Sequence, residues 1–115
     1  MENKTSEKRP SSHVRPHIKL RHRILKRLYE IFTEHPYATV ELVQIAEECN
    51  AKAKELNWNI VYLEKCGYLE LSKSYASLSY IASSATITAE GIDLVEDENE
   101  FNRRFPEADE KNPAD

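Results

Sequence analysis

Glycine is almost missing from this chain: 115 residues hold two, Gly67 and Gly91. A loop that cradles phosphates needs several glycines at fixed spacing, so the Walker-type and dinucleotide fingerprints are excluded. Cysteine is equally scarce. Cys49 and Cys66 stand seventeen residues apart, a spacing that matches no zinc motif, and two thiols cannot build a disulfide framework. Both are expected to be reduced and buried. Long apolar runs are missing too, so no bilayer span is expected. Met1–Pro16 lacks the apolar centre of a secretory leader, which makes the cytoplasm the expected location. No Gly-x-Ser-x-Gly or His-Glu-x-x-His occurs. The carboxylates of Glu47 with Glu48, and of Glu96, Asp97 and Glu98, form surface runs with no histidine beside them. Neither catalysis, nor a cofactor, nor a small-molecule substrate is expected.

Charge is present in quantity but unevenly placed. Residues 1–27 hold nine Lys or Arg against Glu2 and Glu7, a net +7, while residues 28–115 hold seven against eighteen acids, a net −11. A basic arm on an acidic body can engage a polyanion through the arm alone, or fold back on its own body. His13, His17 and His22 lie in the basic stretch with Arg15, Lys19, Arg21 and Arg23 between them. Cationic neighbours oppose a dication, and no acid or thiol completes a ligand set, so no metal is expected.

The hydrophobic pattern divides the chain into a disordered basic arm (1–16), a folded domain (17–105) and a disordered acidic tail (106–115). Ile24, Leu28, Ile31 and Phe32 recur at helical spacing, giving a first helix from about His17 to His35 that Pro36 ends. Thr39 is a suitable N-cap for a second helix to about Cys49, with Val40, Leu42, Val43, Ile45, Ala46 and Cys49 inward and Asn50 closing it in a left-handed conformation. A third helix spans about Lys52 to Cys66 on the stripe Leu56, Ile60 and Leu63, stopped by Gly67. Tyr68–Ser72 and Ala85–Thr88 read as strands, joined by a glycine-free segment rich in Ser, Ala and Tyr. Thr88 caps a fourth helix whose inner side is Ile92 and Val95. Asp97 and Glu100, at capping-box spacing, open a fifth that Pro106 stops. The expected core is Ile24, Leu28, Ile31, Leu42, Ile45, Leu56, Ile60, Leu63, Leu69 and Ile87.

Helix, helix, helix, strand, turn, strand, helix is an order with a known counterpart. Leu63-x-x-x-Gly67-Tyr68-Leu69, followed by Ile87-Thr88-x-x-Gly91, resembles the winged-helix variant of the helix-turn-helix domain over about residues 18–97. The resemblance implies an α+β fold: a three-helix core, a small antiparallel β-hairpin wing and one or two C-terminal helices. It also implies a regulatory protein whose third helix enters the major groove of duplex DNA while the wing touches phosphates. On that reading Arg15, Arg21, Arg23, Arg27, Lys52 and Lys54 hold phosphates, and Asn57 and Asn59 read adenine edges.

Two features depart from the family's pattern. Trp58, Val61 and Tyr62 occupy the outward face of the third helix, where a groove-reading helix carries polar or cationic residues; large exposed aromatics anchor protein interfaces. The wing has one charged residue between Leu71 and Thr88, Lys73, so it adds little phosphate affinity. Tyr75 and Tyr80 make it aromatic instead, suited to packing on the body or on a second subunit. The alternative function is therefore a protein-interaction module built on Trp58, Val61, Tyr62, Tyr75 and Tyr80, without DNA binding; a homodimer fits either reading. Clustering of Arg21, Arg23, Lys26 and Arg27 beside Lys52 and Lys54 would favour DNA. An apolar third-helix face ringed by acids would favour a protein partner.

Overall fold

A computed structural model describes residues 15–73 and 79–107. The expected basic arm up to Val14, residues 74–78 of the expected wing with Tyr75, and the expected tail from residue 108 lie outside the described residues. Among the described residues are five helices and one three-stranded antiparallel sheet: α1 (Pro16–Glu34), β1 (Val40–Glu41), α2 (Leu42–Glu48), α3 (Ala53–Lys65), β2 (Leu69–Ser72), β3 (Ser84–Ile87), α4 (Ala89–Glu96) and α5 (Glu98–Arg104). The architecture is α+β. None of these helices is long and apolar enough to cross a membrane.

Pro16 does not interrupt α1 but begins it. At the first helical position its missing N–H has no partner to lose and its fixed φ is already helical. Leu20, Ile24, Leu25 and Leu28 bury one side of this helix against α3, α4 and the sheet. Ile31, expected in the core, is only partly buried and packs against its margin. Thr39 is not the N-cap of α2, and Val43, expected on its buried side, is exposed because the inward face of the helix is Leu42, Ile45 and Ala46. Val40 and Glu41 pair with Ala85 and Ser84 as a short third strand, and the helix starts at Leu42 from an extended Glu41 with no side-chain cap. The Leu42 N–H donates to Ser83 O at 3.0 Å, so the sheet ladder itself satisfies a donor at the helix start. The sheet order is β1-β3-β2, with Leu69 opposite Ile87 and Leu71 opposite Ala85.

Both helix stops follow the sequence reading. Asn50 has φ 54° and Gly67 φ 86°, left-handed residues after α2 and α3. Each closes with the same pair of backbone bonds: Ala51 N–H to Ala46 O and Asn50 N–H to Glu47 O, then Tyr68 N–H to Leu63 O and Gly67 N–H to Glu64 O.

The two glycine motifs interlock. The Thr88 hydroxyl donates to Gly67 O at 2.6 Å and accepts from Gly91 N–H at 3.1 Å, while Thr88 N–H donates to Tyr68 O at 3.0 Å. Gly91 lies so close that an added Cβ would stand 2.2 Å from Tyr68 O. One short hydrogen-bonded knot thus joins the end of α3 to the start of α4.

The C-terminal elements contribute more core than the sequence indicated. Leu94, Phe101 and Phe105 are buried, whereas Ile92 and Val95 are half-buried at the margin. Asp97 accepts from Glu100 N–H and so opens α5 as expected. Pro106 and Glu107, assigned to the tail, close the domain's edge. Glu107 lies 3.6 Å from the ring of His22. The remaining expected core residues are all buried, as is Cys49; Cys66 is half-buried, and both thiols are free.

Candidate interaction surface on the third helix

The helix α3 is amphipathic, and its inner stripe of Leu56, Ile60 and Leu63 is fully buried. At roughly 100° per residue, Trp58 must then face outward. It does, at 47% exposure. Beside it runs an open groove of ≈ 590 Å³, lined by Ala53, Lys54, Asn57, Trp58 and Val61 of α3 and by Ser79 and Ile81 on the run into β3. Ile81 is 47% exposed and forms the wall opposite Trp58. Ile81 is not among the interface residues expected from the sequence. Burial alternates along the run into β3: Ser79 and Ile81 are exposed and line the groove, while Tyr80 and Ala82 are more buried and line a different hollow.

Several residues expected at the surface are already committed inside the molecule. Asn59 is fully buried and cannot read a base. Its Oδ1 accepts from Arg21 Nε at 2.9 Å, and its Nδ2 donates to Glu55 O at 2.8 Å. Asn57 spends the same two-point geometry that adenine would need. Its amide nitrogen donates to Ser79 O at 2.7 Å, and its Oδ1 accepts from Ile81 N–H at 3.0 Å. It clamps the far wall of the groove to α3.

Tyr62 is not an outward anchor beside Trp58. The Arg21 guanidinium lies 3.7 Å above its ring, and the Phe105 ring meets it edge-on at 6.5 Å. A cation over an aromatic face is attracted by the ring quadrupole, more strongly when both are partly dry. Burial pulls the Arg21 pKa down, with Tyr62 opposing that shift. Arg21 therefore fastens α1 to α3. It also stands 5.6 Å from the Trp58 ring, and His17 lies 5.2 Å from that ring on the same flank. Burial, then Arg21 and Arg15, lower the His17 pKa.

The cations of α1 do not gather on one face. Arg27 donates to Glu48 at 2.7 Å on α2. Arg23 is exposed toward the end of α2, close enough to Cys49 to oppose in part the larger upward push of burial on that thiol. Lys26 lines a different groove with His22, Tyr29, Glu30 and Glu98. Arg15, Lys52 and Lys54 are exposed. Tyr80 is half-buried against the core, away from Trp58. The histidines separate as well: His17 faces Trp58, while His22 is buried against α5. No group of three metal-ligating side chains occurs among the described residues.

His22 is the residue the sequence placed least well. Its Nδ1 lies 2.6 Å from Phe105 O, its ring stacks on Phe101 at 4.3 Å, and Nε2 faces Glu107. It clasps α5 onto α1, and α5 in turn brings Phe105 under Tyr62 and Tyr68. Only the long-range packing of residues 83 apart could have indicated this.

Comparison with known protein families, curated proteins and solved structures gives no match.

Proposed function

We propose that this chain is a winged-helix module that docks a protein partner on the outward face of α3. The order α1, β1, α2, α3, β2, β3, with β3 central in the sheet, supports the winged-helix reading, as do the interlocked glycine motifs. The observation that carries the function is the groove at Trp58. The position that would enter a DNA groove presents a half-exposed tryptophan between Val61 and Ile81. Aromatic anchors that become buried against a partner carry most of the energy of a protein interface. Base reading would need Asn57 and Asn59, and both already have partners.

Exposed Arg15, Arg23, Lys52 and Lys54 favour a second reading, in which duplex DNA is held by its backbone alone. A photo-reactive benzoylphenylalanine in place of Trp58, with one in place of exposed Val43 as control, separates the two in the source cell. Protease-sensitive adducts at 58 and none at 43 are expected. Nuclease-sensitive adducts at 58 would overturn the docking reading in favour of DNA.

A further inference from the structure

The groove at Trp58 was expected to be ringed by acids if it bound protein, and the reverse holds. None of its lining residues is acidic, and Lys54 forms part of its lip. At roughly 100° and 1.5 Å per residue, Lys54, Trp58, Val61 and Lys65 fall on one ridge of α3, with a lysine at each end about 16 Å apart. Both lysines are exposed. The acids of the same helix fall off this ridge. Glu55 turns roughly 60° toward α1, and Glu64 roughly 120° the other way, where it lines a separate hollow with Glu70 and Glu90. Arg21 extends the cationic frame along the α1 side of Trp58. From residue 28 onward the chain is otherwise acidic, five further Lys or Arg against eighteen Asp or Glu. The lysine-framed ridge therefore runs against the charge of its own body.

We infer that the groove takes a short amphipathic segment of a partner protein, with apolar anchors between Trp58 and Ile81 and carboxylates reaching Lys54 and Lys65. The inference rests on the docking reading and names the partner's chemistry. The size of the groove falls within the range of clefts that bury a ligand, roughly 300–1,000 Å³. Charge complementarity at the rim steers encounter and sets register while the apolar centre supplies affinity. A single-stranded nucleic acid is the less suitable occupant. Trp58 gives one stacking face, but Val61 and Ile81 give neither a π-face nor a donor, and two lysines release few counterions against an acidic body.

Trp58 is the sole tryptophan, so its emission reports on the groove directly. The full chain is titrated with three synthetic peptides of about fifteen residues, long enough to span both lysines. They share leucine and phenylalanine anchors at helical spacing and carry Glu, Gln or Lys at the flanks. An oligothymidylate of similar length is the fourth probe. The Glu peptide is expected to bind about tenfold tighter than the Lys peptide, with the gap narrowing as salt rises. Lys54→Glu with Lys65→Glu is expected to reverse the preference while circular dichroism stays unchanged. Equal affinity for all three peptides would reject the acidic partner but leave the docking groove standing. Binding of the oligothymidylate alone, or no emission change with any probe, would reject both.

Discussion

Gly91→Ala is the substitution in which a helix-favouring change should do most harm. Alanine in a helix interior is worth about 1 kcal/mol over glycine. Here the added Cβ would stand 2.2 Å from Tyr68 O and 2.7 Å from Ile87 Cγ1. The first neighbour is backbone and cannot rotate away. Tyr68 O also accepts the Thr88 N–H, so pushing it aside loosens the bond that joins β2 to the start of α4. Overpacking costs about 1–3 kcal/mol and a loosened hydrogen bond about 1 more. The two outweigh the propensity gain, leaving a net destabilisation of about 3 kcal/mol at most. For a domain of this size that is a Tm lowered by up to roughly 12–24 °C. Gly67→Ala makes the control. Its backbone is left-handed at φ 86°, but the added Cβ would meet only the carboxylate end of Glu90, which can move, so a milder loss of about 1–2 kcal/mol is expected. Calorimetric melts of both variants decide the matter. A Gly91→Ala protein melting within a few degrees of the parent would refute the close approach of α4 to Tyr68.

Leu63→Ala removes a fully buried side chain and should cost about 2–5 kcal/mol in a urea titration. Hydrogen bonds from Arg27 and Gln44 hold the Glu48 carboxyl below the usual glutamate range. Its folded pKa is depressed, so its contribution is complete above about pH 4.3 and disappears as pH falls through the folded value. The pair is partly exposed and worth at most about 1 kcal/mol. Melts of the parent and Glu48→Gln should therefore differ slightly at neutral pH and converge in acid. Burial pushes the Cys49 thiol up, so iodoacetamide should alkylate half-exposed Cys66 well before Cys49, as peptide mapping would show.

Local periodicity and stop signals carried most of the fold. The stripes of α1 and α3, the left-handed Asn50 and Gly67, and the Thr88 and Asp97 caps all depend on residues within a turn or two of each other. What the sequence misplaced depends on distant partners. Val40 and Glu41 read as the start of a helix, because two residues carry no strand period; β3, more than forty residues on, makes them a strand. Pro16 reads as a breaker unless the helix begins at it. His22 reads as one of a basic cluster until α5 closes over it. At the site, the angular argument put Trp58 outward, where it lies, but the same argument put Tyr62 beside it. Helical angle alone cannot show that Arg21 of α1 covers that ring. Asn59 reads as polar and therefore exposed; the bonds from Arg21 Nε and to Glu55 O satisfy its amide, as a fully buried one requires.

Docking on α3 requires Trp58 to face outward in the isolated chain, and acrylamide quenching of its fluorescence tests that most directly. The account predicts emission shifted toward that of solvated indole, ready quenching, and a Trp58→Ala variant that keeps its melting temperature within a few degrees because no core is lost. Blue-shifted, quencher-resistant emission from the monomer, with Trp58→Ala unfolding the domain at a cost of about 3–5 kcal/mol, would place the ring in the core and contradict the docking surface.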